Sequence, residues 1–278
     1  MLAMACAMRL THAHGCNPRH NHRPGARRSH GRKGKAFRAG NVMLPARNAL
    51  PLRPWLRAHP VALHGILRAD RGMGDGTMDE RFPALTLHLP AWVARVLPPP
   101  DTLFATCADR MRLAIDLSRW NVEHDTGGPF GAAIFDAASG RLLAPGVNLV
   151  VGSRWSGAHA EMVAFAIAQQ MVASHDLGSP ELPPYELYAS SEPCAMCFGA
   201  TPWSGVRRLV CGARDADVRA IGFDEGPKLP DWADALRTRG IDVVQDLLRD
   251  EAVAVLRAYA TRGGAIYNGR AGAQGRRA

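Results

Sequence analysis

The sequence predicts an α/β fold in which a mostly covered sheet lies between helices. Short apolar strand segments alternate with helical segments along residues 101–262, and Pro and Gly clusters punctuate them. The chain has 278 residues, 47% hydrophobic and 21% charged, enough for one sizeable core. No apolar run reaches the ~18 residues of a membrane span, which excludes an integral helical membrane protein. Six irregularly spaced cysteines are too few for a disulfide scaffold and suit a cytosolic-type protein.

The elements follow in order. Pro98, Pro99 and Pro100 stop whatever precedes them, and Asp101 can cap a helix. Leu103, Cys107, Met111 and Ile115 recur every four residues, which puts them on one face of a helix running to about residue 121. Gly127, Gly128 and Pro129 break it. Residues 130–136 read as a buried strand, 138–140 as a turn and 141–151 as the hairpin partner. Alanine-rich residues 159–174 read as a helix, 185–189 as a strand, 194–204 as a helix and 208–213 as a strand. A further strand over 241–247 and an amphipathic helix over 250–262 complete the body.

Charge divides the chain. Residues 1–77 hold 14 of the 34 basic residues and two of the 25 acidic ones, a net +12, so the remainder carries −3. Seven of the eleven histidines lie in the same quarter. Its Arg/Gly/His/Pro composition predicts a disordered extension, with a short helix near residues 63–68. A transit peptide, a nucleic-acid-binding arm or a loose histidine metal site each suit such a segment. The reading favoured is that synthesis starts at Met73 or Met78. The domain boundary is then 1–77 against 78–278.

Two short motifs carry chemistry. His159-Ala160-Glu161 opens one predicted helix, and Pro193-Cys194-Ala195-Met196-Cys197 opens another just after a strand. One His and two Cys make a three-ligand zinc set that leaves the fourth tetrahedral position free for water. Cys194 and Cys197 are three apart, so both thiolates face the same way from one helical turn. Helix N-termini favour thiolate over thiol. Glu161, two residues past the histidine, is spaced to reach a water and not the metal, as a proton shuttle does. Alone, either motif is weak: HxE arises by chance, and a lone CxxC is as readily redox or a structural knuckle. In this order, each opening a helix, they point to a hydrolytic zinc site.

From Gly127 to Asp217 the chain resembles the cytidine-deaminase-like superfamily, on the segments GGPFGAAIF, HAE, SSEPCAMC and RRLVCGARD. The resemblance implies a three-layer α/β/α fold with a central five-stranded mixed sheet, Zn2+ held by His159, Cys194 and Cys197, and Glu161 as proton shuttle. Gly222-Phe223-Asp224-Glu225 looks like the bacterial guanine deaminase branch, where the acidic residue at the position of Glu225 is a second proton carrier. The same resemblance implies that Asn148 holds the base and that Phe130, Trp203, Ala160 and Phe223 line its pocket. On its residues alone, Glu225 reads as a solvated loop carboxylate between Gly222 and Gly226; the resemblance reverses that.

The function implied is zinc-dependent hydrolysis of a free purine base, guanine to xanthine and ammonia, in the cytoplasm by a homodimer. Its partners are the base and water, with neither membrane nor nucleic acid. Two other readings stand beside it. A tRNA adenosine deaminase shares HAE and PCxxC, and the basic extension suits a polyanion, but the acidic body argues against it. A silent zinc fold serving as a binding module leaves Glu161 without a purpose.

Overall fold

The computed structural model describes residues 85–269. The expectations for residues 1–77, including the short helix near 63–68, lie outside the described residues.

The chain opens with the short helix α1 (Ala91–Val96), then α2 (Cys107–Glu123) and the hairpin β1 (Gly131–Asp136) and β2 (Leu142–Val147). A helical turn, α3 (Val150–Ser153), leads to α4 (Ala160–Val172), β3 (Tyr185–Ser191), α5 (Ala195–Ser204) and β4 (Arg208–Ala213). Next come α6 (Asp215–Ala220), α7 (Trp232–Arg237), β5 (Asp242–Val244) and α8 (Arg249–Thr261). The sheet order is β2-β1-β3-β4-β5. β1 pairs antiparallel with β2 and β3, whereas β3, β4 and β5 are parallel. This is the five-stranded mixed sheet the sequence predicts. Among the described residues no helix is long and apolar enough to cross a membrane.

Side chains alternate between two cores although β1 is buried on both sides. Ala133 and Phe135 join Met111, Ile115, Leu117 and Leu256 beneath α2 and α8. Ala132 and Ile134 join Ala164, Phe165, Ala168 and Leu236 beneath α4 and α7. Successive strand residues face opposite sides, so a strand covered twice reads as one apolar run. Pro145 lies in β2, the edge strand, where a missing donor is tolerated.

Two boundaries differ from expectation. α2 starts at Cys107, not near Asp101, because Thr106 and Asp109 form a reciprocal capping box. Leu103 therefore lies outside the helix, 57% exposed, in a bridge to Arg141. The hairpin partner ends at Val147, and the chain then turns into α3, which frees Asn148 and the following loop to face the helix that comes next. Close packing fixes that helix against the sheet: a Cβ at Gly146 would lie 2.1 Å from the carbonyl oxygen of Ala160.

Candidate active site

Two helix N-termini meet at the site. His159 is the N-cap of α4 and Cys194 the N-cap of α5, both with extended backbone. The Nδ1 of His159 lies 3.4 Å from Cys194 Sγ and 3.7 Å from Cys197 Sγ. All three ligand atoms fall within 4.8 Å of one another. Zn–S of ~2.3 Å and Zn–N of ~2.0 Å in a tetrahedron set nitrogen and sulfur about 3.5 Å apart. The donor set and its spacing therefore fit a zinc ion.

The hydrogen bond from the Cys197 thiol, aided by His159, holds Cys194 at about 4, against the opposing effect of burial. The reciprocal bond and burial push Cys197 up.

A cavity of about 150 Å³ opens beside these residues. Its lining includes His159, Cys194, Glu161, Glu225, Asn148, Phe130 and Phe223. Both carboxylates are buried, at 7% and 6% exposure. Burial raises Glu161, and the charge of Cys194 adds to it. Burial also lifts Glu225 to about 8, reinforced by Cys194 and Glu161. The solvated-loop reading of Glu225 thus fails. Gly222 and Gly226 take φ of +104° and +70°, conformations that glycine reaches without strain and that reverse the chain around Glu225.

Two expected pocket residues lie elsewhere. Trp203 is 85% exposed and does not line the cavity. Cys197, Thr201 and Ser204 share the buried face of α5, which leaves Met196, Gly199 and Trp203 on the opposite one. Ala160 is buried in the core beneath α4 and not in the cavity, because the first helical turn directs it to the sheet.

The cavity also holds residues the sequence reading missed. Tyr267 and Asn268 follow α8 and line it. Asn268 accepts from the Asp224 N–H at 2.8 Å and donates to the Gly222 carbonyl at 2.9 Å. The Tyr267 ring meets Phe223 edge-on at 5.0 Å, and Phe223 meets Phe130 at 5.1 Å. The buried Tyr267 hydroxyl has no hydrogen-bond partner among the described residues. Glu192, too, lines the cavity; it comes from the turn between β3 and α5.

Residues 106–213 match the cytidine and deoxycytidylate deaminase zinc-binding region. A guanine deaminase of Bacillus subtilis is 36% identical over 115 residues, covering 41% of this chain and 69% of the relative. The solved guanine deaminase of Nitrosomonas europaea is 47% identical, covers 67% of this chain and 100% of its own, and superposes with a TM-score of 0.62. A solved structure in complex with 2,6-diaminopurine is 49% identical, covering 66% and 97%, with a TM-score of 0.63. The family match spans β1 to β4, both ligand-bearing helices and the zinc-binding motifs, and the chain belongs to the cytidine and deoxycytidylate deaminase family.

Proposed function

We propose that the chain is a zinc-dependent aminohydrolase that converts guanine to xanthine and ammonia. The observation that carries this reading is the pair of buried carboxylates, Glu161 and Glu225, lining one small cavity with His159 and Cys194. The guanine deaminase relatives support the choice of base, as does the neighbour holding 2,6-diaminopurine, which carries an amino group at the same ring carbon. The cavity, about 150 Å³, is below the ~300–1,000 Å³ of pockets for drug-sized ligands, which favours a free base over a nucleotide.

Bound by His159, Cys194 and Cys197, zinc supplies the Lewis acidity that makes water nucleophilic at neutral pH. Glu161 takes the proton of the attacking water and delivers it to the ring nitrogen beside the reacting carbon. The water oxygen bonds to that carbon, Glu225 passes the remaining hydroxyl proton to the amino group, and the C–N bond breaks as the new C=O forms and ammonia leaves. Water and guanine thus balance xanthine and ammonia. Asn148 holds the edge of the base, and Phe130 and Phe223 pack against the ring.

We assign residues 78–278 to the deaminase domain and 1–77 to an extension, and we place the reaction in purine breakdown in the cytoplasm. A homodimer accounts for exposed Trp203 on α5, a helix without a charged side chain. Ammonia release measured with guanine, adenine, cytosine, cytidine and tRNA tests the reading. Guanine is expected to be turned over fastest; inactivity on guanine overturns it.

A further inference from the structure

We propose that Lys228 is a positioning residue, whose buried ammonium fastens the loop carrying Glu225 to the turn carrying Cys194. This rests on the guanine deaminase reading given above.

Glu225 lies between α6 and α7, where no helix or strand fixes it. Its carboxylate must nonetheless stay in register with a site built on other elements. The Lys228 side chain is 6% exposed, and lysine is almost never buried so far unless paired. Its Nζ donates to the carbonyl of Pro193 at 3.0 Å. The same nitrogen lies 3.1 Å from Asp215 Oδ1 and 3.5 Å from Glu192 Oε2, and 5.0 Å from the centre of the Trp232 ring. Asp215 Oδ1 accepts no hydrogen bond among the described residues, so the ammonium is its compensation.

Each partner is itself anchored. Glu192 accepts from the Asp215 N–H at 3.1 Å and from Gln245 Nε2 at 2.7 Å. Asp215 also accepts from Arg219 Nε at 2.6 Å, and Arg219 donates onward to the Gly226 carbonyl at 3.0 Å. The Ala195 N–H, at the start of α5, donates to the carbonyl of Glu225 at 2.9 Å. Pro193 and Ala195 flank Cys194. The loop is therefore tied on both sides of that ligand, once through Glu225 itself and once through Lys228 three residues later. Glu225 cannot shift relative to Cys194 without breaking one tie.

Lys228→Met and Lys228→Arg in the full-length, zinc-loaded protein test this. In Lys228→Met, kcat on guanine should fall at least ~10-fold with KM changed less than ~3-fold, because the base still binds while a proton carrier is misplaced. Zinc content should hold. Hydrogen exchange of amides 222–226 and 228 and of Ala195 should quicken at least ~10-fold, with β1 and α2 unchanged. Lys228→Arg should restore the protection and part of kcat. If Lys228→Met does not fold, Asp215→Asn is measured the same way and should show the same pattern more weakly. Wild-type exchange and kcat in the variant, or faster exchange throughout the fold, overturns the proposal. If the wild type releases no ammonia from guanine, the function reading fails, and the exchange pattern still decides the role of Lys228.

Discussion

Asn121, wholly buried on α2, donates through Nδ2 to the backbone carbonyl of Asn148 at 2.9 Å. The same Nδ2 reaches the Gly128 carbonyl at 2.9 Å, and Oδ1 accepts from Thr126 at 2.7 Å. One amide thus ties the end of α2 to the loop before β1 and to the residue that lines the cavity after β2. Space is short there: a Cβ at Gly127 would lie 1.9 Å from the Asn148 oxygen.

Asn121→Ala should therefore act at the site as well as on stability. It leaves the buried Asn148 carbonyl without its donor, which costs about 1–3 kcal/mol, whereas the Gly128 carbonyl keeps the Phe130 N–H at 2.8 Å. Asn148 then loses the anchor on its carbonyl and keeps the one on its N–H, which donates to Phe130 at 3.1 Å. Thermal unfolding should shift down, and KM for guanine should rise more than kcat falls. A variant with unchanged KM would show that Asn148 needs no such anchor.

Metal removal should lower stability as well as abolish turnover. An ion held at a hundred times its Kd stabilises by about 2.7 kcal/mol, which is ~5–11 °C for a domain of this size. Chelation should produce a shift of that order, reversed by zinc. Cys194→Ala should abolish the shift, because the donor at 3.4 Å from His159 is gone. Metal analysis of the active protein, expected at about one zinc per chain for a three-ligand site, checks the same point.

The acid limb of stability should depend on Asp217. Its carboxylate takes both Arg249 nitrogens at 2.8 Å and accepts the Arg214 N–H at 2.8 Å. The Arg249 bond first, and then the Arg214 N–H, hold it below the ordinary 3.8 in spite of partial burial. A depressed folded-state value gives stability that is full above pH 3.8 and is lost as pH falls through the lower folded value. Asp217→Asn should thus cost about 0.5–1 kcal/mol at pH 7, the range for a well-formed, partly exposed pair. Denaturation of the two proteins should converge as pH falls through the depressed folded-state value of Asp217. A gap that persists there would mean the aspartate acts through packing and not through charge.

What the sequence made legible follows from how narrowly chemistry restricts each residue. Zinc tolerates few donor types, so His159, Cys194 and Cys197 stood out, and they meet. Strands β1 and β4 were readable because each holds an apolar run, residues 131–135 and 209–213, bounded by a charged residue and turn residues. α1, α6 and α7, six residues each, are too short to display a helical period. Trp203 entered the pocket only through the family resemblance, and the face that α5 buries, with Cys197, Thr201 and Ser204, leaves it 85% exposed. Tyr267 and Asn268 sit in a Gly-rich stretch that reads as a linker, and their partners Phe223, Asp224 and Gly222 are more than 40 residues away. Lys228 carried no signal at all, since burial of a single lysine depends on oxygens of Glu192 and Pro193 in the turn before α5 and of Asp215 at the start of α6.

The two carboxylates should separate by substitution. Glu161 lies in the first turn of α4, two residues past His159, and lines the cavity without belonging to the metal donor set. Glu161→Ala should keep zinc and lose ~100- to 10,000-fold in turnover, the range for a general acid–base group. Glu225 reaches the same cavity from a different loop, and its backbone is tied to Ala195 by a hydrogen bond that substitution leaves in place. Glu225→Gln retains size and most hydrogen bonding but cannot carry a proton. It should bind guanine and hold zinc normally, yet turn over at least ~100-fold more slowly. The two losses should not multiply in the double variant, since both residues serve one proton inventory and the slower transfer limits each single variant. Steady-state kinetics and zinc content on the same samples decide the matter. Wild-type turnover in Glu225→Gln would leave Glu161 as the sole carrier and remove the chemical reason for preferring guanine.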